Sequence, residues 1–334
     1  MGEKKINWLL ILQGWAMLWV VIGHSFVGEF LQGPGWENEL CKFAYRFHMP
    51  LFMLVSGWLF YLTRLRPSLS TWGGQKWNYS AIVKDKVVRL IVPGVVFSLI
   101  AFAVKLAIPG EVSRQAGLSL HEIGHALLYP YDNPFREFWF IATLFWFFLI
   151  TPMWKWILKR KWLMWTTIVM LIVLHFVEPG TELLSIDRVC SNAIWFFLGL
   201  VVSKEDYVDK IFNKNAWWTL LIGVFIYCIG RFVNPFITTM GCIVFSFGLA
   251  LLLDKYIPKT FFTFRNYTYQ IFLMGIFAQM FVKILYRHIS MPYIAAYILC
   301  ILMGLYVPVL VSKLIEKINW KPLSFCVGLK PIKK

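Results

Sequence analysis

The sequence predicts an all-α, polytopic membrane protein of about ten transmembrane helices, with both termini on the cytoplasmic side. Three observations carry that expectation. Hydrophobic residues make up 59% of the 334-residue chain and charged residues only 15%, which is more apolar surface than a soluble domain of this size can bury. The apolar residues gather into runs near the ~20 residues that a helix needs to cross a bilayer. The formal net charge of +16 is not collected in one tail or domain, as a nucleic-acid partner would ask, but recurs as short basic clusters between those runs.

The first run, residues 6–28, is too long for a signal-peptide core and lacks a small-residue cleavage site, so it reads as a retained anchor. Within it Gln13 and His24 are separated by close to three helical turns, which puts both on one face roughly 16 Å apart along the axis. The second run, 44–63, carries His48 near its start, and the third, 87–108, carries Arg89. Runs 138–158 and 162–177 follow, and 190–203 is short enough to need its flanks to cross. Runs 216–232, 236–253, 267–286 and 292–315 complete the set. With the N-terminus inside, most of the 33 basic residues fall in inner loops, among them Lys84, Lys86 and Arg89 and the cluster of Lys155, Lys159, Arg160 and Lys161. The longest loops, 64–86 and 109–137, are too short to form a soluble domain, and there is no internal repeat or inverted pair of broken helices. Residues 1–334 therefore read as a single transmembrane domain.

Under this topology all six histidines lie at or beyond the outer half of the membrane. His175 and His288 read as interface residues reaching water. His24 and His48 sit at matching depth on consecutive helices and can face one another, and ionisable groups within spans mark function by default. The stretch HEIGH, His121 to His125, fits the H-E-x-x-H zinc pattern, but no third ligand follows at a recognisable spacing. It reads instead as an interfacial amphipathic helix burying Leu120, Ile123, Leu127 and Leu128, and no metal is expected. The six cysteines show no metal-type spacing. Cys228, Cys242 and Cys300 read as small buried hydrophobes; Cys41 and Cys190 share the predicted outer side, with no disulfide expected.

Five segments then read together: LQGWAMLWVVIGHS, RFHMPLFMLVSGWLF, VVRLIVPG, FWFIATLFWFFLITP and NAIWFFLGLVVSK. In that order they resemble the signature segments of the acyltransferase 3 family, the bacterial integral-membrane O-acyltransferases of cell-surface glycans. The resemblance implies an enzyme of the bacterial cell membrane that takes an acyl group, usually acetyl, from acetyl-CoA on the cytoplasmic side. The group passes to a hydroxyl of a glycan or lipid-linked saccharide at the outer face, and no permanently bound cofactor is implied. The family's essential first-span histidine falls on His24, and the arginine of its R-x-x-x-P motif falls on Arg89, before Pro93. Two positions depart from the pattern. Gln13 stands where the family usually has arginine, and Gly275 stands where its ninth span often has histidine.

The chemistry asks for what these residues offer. A sugar hydroxyl needs a base within hydrogen-bond reach, and imidazole is the usual choice. His24 is the candidate base or transient acyl carrier, and His48 its candidate partner, orienting it or stabilising an oxyanion. Arg89, with Lys84 and Lys86, suits the phosphates of coenzyme A, and Gln13 is the donor-side position on the first helix. The alternative from another class is a carrier or flippase for glycan intermediates, with the Gln13–His24 face as its path.

Overall fold

The computed structural model describes residues 7–26, 35–66, 78–108 and 119–329. Every regular element among them is helical. Seven helices are long and apolar enough to cross a membrane, or eight if one sharply bent pair is a single span. The chain divides into two compact units, one of Met1–Tyr61 and Val202–Leu310, the other of Leu62–Val201 and Val311–Lys334.

In the first unit, α1 spans Asn7–His24 and α2 spans Gly35–Phe60. A helical hairpin follows, α3 at Ala216–Val233 and α4 at Pro235–Tyr256, then α5 at Thr268–His288 and α6, which begins at Tyr293 and ends at Ile318. The hairpin depends on glycine: a Cβ on Gly223 would lie 2.2 Å from the backbone nitrogen of Phe245, and one on Gly241 would lie 2.3 Å from that of Tyr227. Two backbones this close leave no room for any side chain.

Helix α1 is tied at both ends. At its start, Asn7 Nδ2 donates to Asp254 Oδ1 (2.5 Å) and Arg265 Nη2 donates to Asn7 Oδ1 (2.7 Å). Arg265 is buried and also donates to the carbonyls of Pro258 and Thr260, both at 3.0 Å. At its far end, buried Gln279 of α5 donates through Nε2 to Val21 O and to Ser25 Oγ, both at 2.9 Å. The last carbonyls of a helix lack intrahelical partners; here Val21 O accepts from the Ser25 hydroxyl (2.7 Å), and Gln279 adds a second donor to the same oxygen.

In the second unit, α7 spans Tyr79–Lys86 and α8 spans Val92–Ala107, joined by π-helical Val87–Ile91. The predicted run at 87–108 thus begins a helix earlier. Pro93 explains the π segment: it has no N–H to donate to the carbonyl four residues back, that of Arg89, and its ring crowds it. The same rule breaks the predicted run at 138–158. It forms α9, Phe138–Leu149, and α10, Thr151–Ile157, bent by 54°. Pro152 leaves the Phe148 carbonyl without its helical donor, and the Thr151 hydroxyl donates to it instead. The predicted run at 162–177 is helical over Lys161–His175 only, and 190–203 gains flanks to span Leu183–Lys204.

Several side-chain expectations are corrected. HEIGH is helical over Leu120–Leu128, but Ala126 is its buried residue while Leu120 and Leu128 are exposed. Glu122 forms a capping box with Ser119, accepting from its N–H (3.1 Å) and hydroxyl (2.8 Å), so its carboxylate serves the helix end. His175, half-buried, bonds the Ser191 carbonyl through Nδ1 (2.5 Å), and its ring meets Trp195 edge-on. Cys242 and Cys300 are buried as expected, whereas Cys228 is exposed on α3.

Candidate active site

In the first unit the structure brings together the two histidines singled out from sequence, through a residue that sequence reading missed. His24 is the last residue of α1, and Gly23 before it packs against α2: a Cβ there would touch Ala44 Cβ and the Tyr45 ring, both at 3.4 Å. The Tyr45 hydroxyl lies 3.2 Å from His24 Nδ1, and its ring stands edge-on to both imidazoles, with centroids 5.5 Å from His24 and 5.2 Å from His48. Tyr45 is thus the shared neighbour of the pair.

His48 is 1% exposed, and its Nδ1 bonds the Ala44 carbonyl one turn back. A carbonyl only accepts, so Nδ1 carries the proton and the neutral ring has its lone pair on Nε2. The backbone around His48 is itself constrained. Pro50 deprives the Arg46 carbonyl of its helical partner, and the Thr239 hydroxyl of α4 lies 3.0 Å from that oxygen, shared with Pro235 O at 3.0 Å. The signature FHMPLF therefore has a physical logic: its proline opens the helix beside the histidine, and a neighbouring helix supplies the missing donor.

Gln13 lies on the unbroken α1, half-buried, and makes no side-chain hydrogen bond among the described residues. Gly275 faces α6, where a Cβ would lie 3.0 Å from the Gly304 carbonyl. A histidine at that position would meet backbone. One turn further along the same face stands Gln279, which holds the His24 end of α1.

The other sequence candidates belong to the second unit. Arg89 Nε pairs with Asp85 Oδ1 at 2.8 Å, and Asp85 Oδ2 accepts from Arg64 Nη2 at 2.9 Å. Both arginines sit in π-helical turns, Arg64 in Tyr61–Leu65 and Arg89 in Val87–Ile91. Lys86 places its ammonium 3.9 Å from the centre of the Phe148 ring, a cation resting on an aromatic face. Arg64 and Asp85 carried no distinguishing signal in the sequence, since charged residues between apolar runs are ordinary. Gln279 did carry one, as an amide within an apolar run that it shares with Gln270.

No cluster of three or more His, Cys, Asp or Glu side chains placed to hold a metal occurs among the described residues. The long apolar helices define a polytopic helical membrane protein, which carries an imidazole pair joined through a phenol and an arginine–carboxylate cluster. The Acyl_transf_3 family model, described as an acyltransferase domain, matches residues 6–313, and the chain belongs to this family of membrane acyltransferases. No curated protein and no solved structure matches it.

Proposed function

We propose that this protein is an O-acyltransferase of the bacterial cell membrane that moves an acyl group, acetyl by preference, from cytoplasmic acyl-CoA to a hydroxyl of an extracytoplasmic glycan or lipid-linked saccharide. The observation that carries the reading is the His24–Tyr45–His48 assembly within a chain of this family. The proposal takes residues 1–334 as one transmembrane domain that crosses ten times. It counts α2 and Lys161–His175 as spans besides the long apolar helices, with both termini inside.

In this reading His24 is the general base or a transient acyl carrier. With Nδ1–H donated to the Tyr45 oxygen, the neutral ring holds its lone pair on Nε2, the tautomer a base requires. As base, it takes the proton from the acceptor hydroxyl; the oxygen attacks the thioester carbonyl and the coenzyme A thiolate leaves. As carrier, the imidazole nitrogen attacks the thioester carbonyl and expels the coenzyme A thiolate; the acceptor oxygen then attacks the acyl-imidazole carbonyl, and its proton passes to the imidazole that leaves. His48 orients this centre or supports the oxyanion. Arg89 handles the donor phosphates, Lys86 adds charge from the face of Phe148, and Gln13 lies on the donor side of α1.

The test is direct. Purified protein in nanodiscs, given acetyl-CoA and a saccharide acceptor, should release free coenzyme A and form an ester on the acceptor. A protein that moves glycan without consuming thioester would be a carrier and would sink the reading. Sidedness is tested separately in a background lacking the native cysteines. Ser119→Cys should react with a membrane-impermeant thiol reagent in intact cells, and Asn213→Cys should not; the reverse pattern would invert the topology.

A further inference from the structure

The arrangement around Asp85 is unusual for an ordinary surface ion pair. One carboxylate serves two arginines from different helical segments, one oxygen to each. Exposed ion pairs contribute little to stability, so stability alone gives little reason for this geometry. The carboxylate is also the more enclosed partner. Asp85 is 20% exposed at its side chain, against 38% for Arg64 and 44% for Arg89. The acid is the anchor and the two guanidinium groups are the open edge.

The bonding atoms matter as well. Arg89 meets Asp85 through Nε, which leaves both of its terminal amino groups uncommitted to the acid, and Arg64 uses a single Nη. A guanidinium has five N–H donors in a planar fork, and that fork matches two oxygens of a phosphate. The π-helical turns contribute to the placement, because one inserted residue rotates the next stretch of helix by about 100° relative to a regular helix. Lys86, the neighbour expected to share the task, rests against the Phe148 ring. The second cation beside Arg89 is therefore Arg64.

We infer that Asp85 is a positioning residue that holds Arg64 beside Arg89 as a two-arginine clamp for the phosphate groups of the acyl donor. Arg64 is a donor-binding residue in its own right. The net charge of the triad is +1, and a nucleotide thioester with several phosphoryl charges is the complementary ligand. This inference rests on the acyltransferase reading for the identity of the donor. Its chemistry, two guanidinium groups on phosphate oxygens, is shared with anionic lipid headgroups, and the experiment separates the two.

Full-length protein is placed in phosphatidylcholine nanodiscs, and the binding of coenzyme A is measured alongside KM for acetyl-CoA and for acetyl-pantetheine, which lacks the nucleotide. Arg64→Ala should raise the Kd for coenzyme A and the KM for acetyl-CoA by about tenfold or more, as loss of a charge-assisted hydrogen bond does, and leave the KM for acetyl-pantetheine unchanged. Arg64→Lys should fall between, keeping charge without the fork. Asp85→Asn should weaken coenzyme A binding less than either arginine loss, because the cations remain but are no longer held together. Coenzyme A affinity unchanged in Arg64→Ala would overturn the clamp. So would an equal rise in KM for both donors, which would mark general damage to the fold. Discs containing phosphatidylglycerol form the other arm. If Arg64→Ala changes lipid retention while coenzyme A binding stays as in wild type, the arginines hold lipid and the inference fails. Coenzyme A binding by a wild type that transfers no acyl group would instead defeat the acyltransferase reading and leave the clamp standing.

Discussion

The polar cluster of the first unit and that of the second are built from opposite materials. Around His24 the groups are hydrogen-bonding partners without a permanent charge: a phenol, two imidazoles, and the amide and hydroxyl at the last turn of α1. Around Asp85 they are permanent ions. Burial sets His48 apart: it is almost fully enclosed, while Tyr45 and the Arg64 and Arg89 side chains are each more than a third exposed. Proton transfer needs a lone pair whose tautomer is fixed by its neighbours, and a neutral ring tolerates enclosure. Anion capture needs charge that survives any pH the cell meets, and charge is costly to enclose. Under the proposed function, the contrast assigns chemistry to the first cluster and binding to the second.

The largest expected effect comes from that separation. His24→Ala should lower acyl transfer by about 10²-fold or more while leaving coenzyme A affinity nearly unchanged, because a lost base acts on the reaction step alone. Full activity in that variant would end the reading of this cluster as a place for chemistry. Arg89→Ala should do the converse. Loss of a charge-assisted bond to phosphate should weaken donor binding by about 1.5–3 kcal/mol, with kcat at saturating donor preserved. Raising the ionic strength should mimic it in the wild type, since half-exposed charges are screened within about 10 Å at 0.1 M salt. If salt lowered kcat and left KM alone, the two clusters would not divide the work in this way.

A third expectation concerns the scaffold shared by His48 and its helix. Thr239→Val removes the donor that approaches the Arg46 carbonyl freed by Pro50. Losing a hydrogen bond at this part-buried acceptor costs about 0.5–1.5 kcal/mol, and thermal unfolding in detergent should show that loss. Thr239→Ser keeps the hydroxyl and should recover most of it. An unchanged unfolding temperature in Thr239→Val would mean that the carbonyl finds another donor.

These cases show what a sequence can and cannot disclose. Pro50, Pro93 and Pro152 each name, by counting four residues back, the carbonyl that will lack a partner. They do not name the remedy, which is a threonine from another helix for Pro50, a π-helical turn for Pro93 and a bend capped by Thr151 for Pro152. The apolar runs were legible because lipid imposes a length and a composition. The partners Arg64 and Asp85 were not, since their meeting depends on helical register and packing. HEIGH matched a zinc pattern that its missing third ligand already argued against, and its glutamate is the N3 residue of a capping box, equally written in the preceding Ser119.

The smallest predicted effect tests the link that the sequence did not reveal. Tyr45→Phe keeps the ring edge against both imidazoles and removes only the hydroxyl near His24 Nδ1. Tyr45 is 47% exposed, so water can replace part of what the hydroxyl supplied. A net hydrogen bond contributes about 0.5–1.5 kcal/mol, so acyl transfer should fall by no more than about tenfold, in kcat and not in donor KM. Tyr45→Leu should cost more, because it also removes the aromatic edge that both histidines meet. If Tyr45→Phe matched wild type while Tyr45→Leu did not, the ring would be the positioning element and the hydroxyl a bystander. If both matched wild type, Tyr45 would not couple the histidines at all, and the pair would have to act as separate residues.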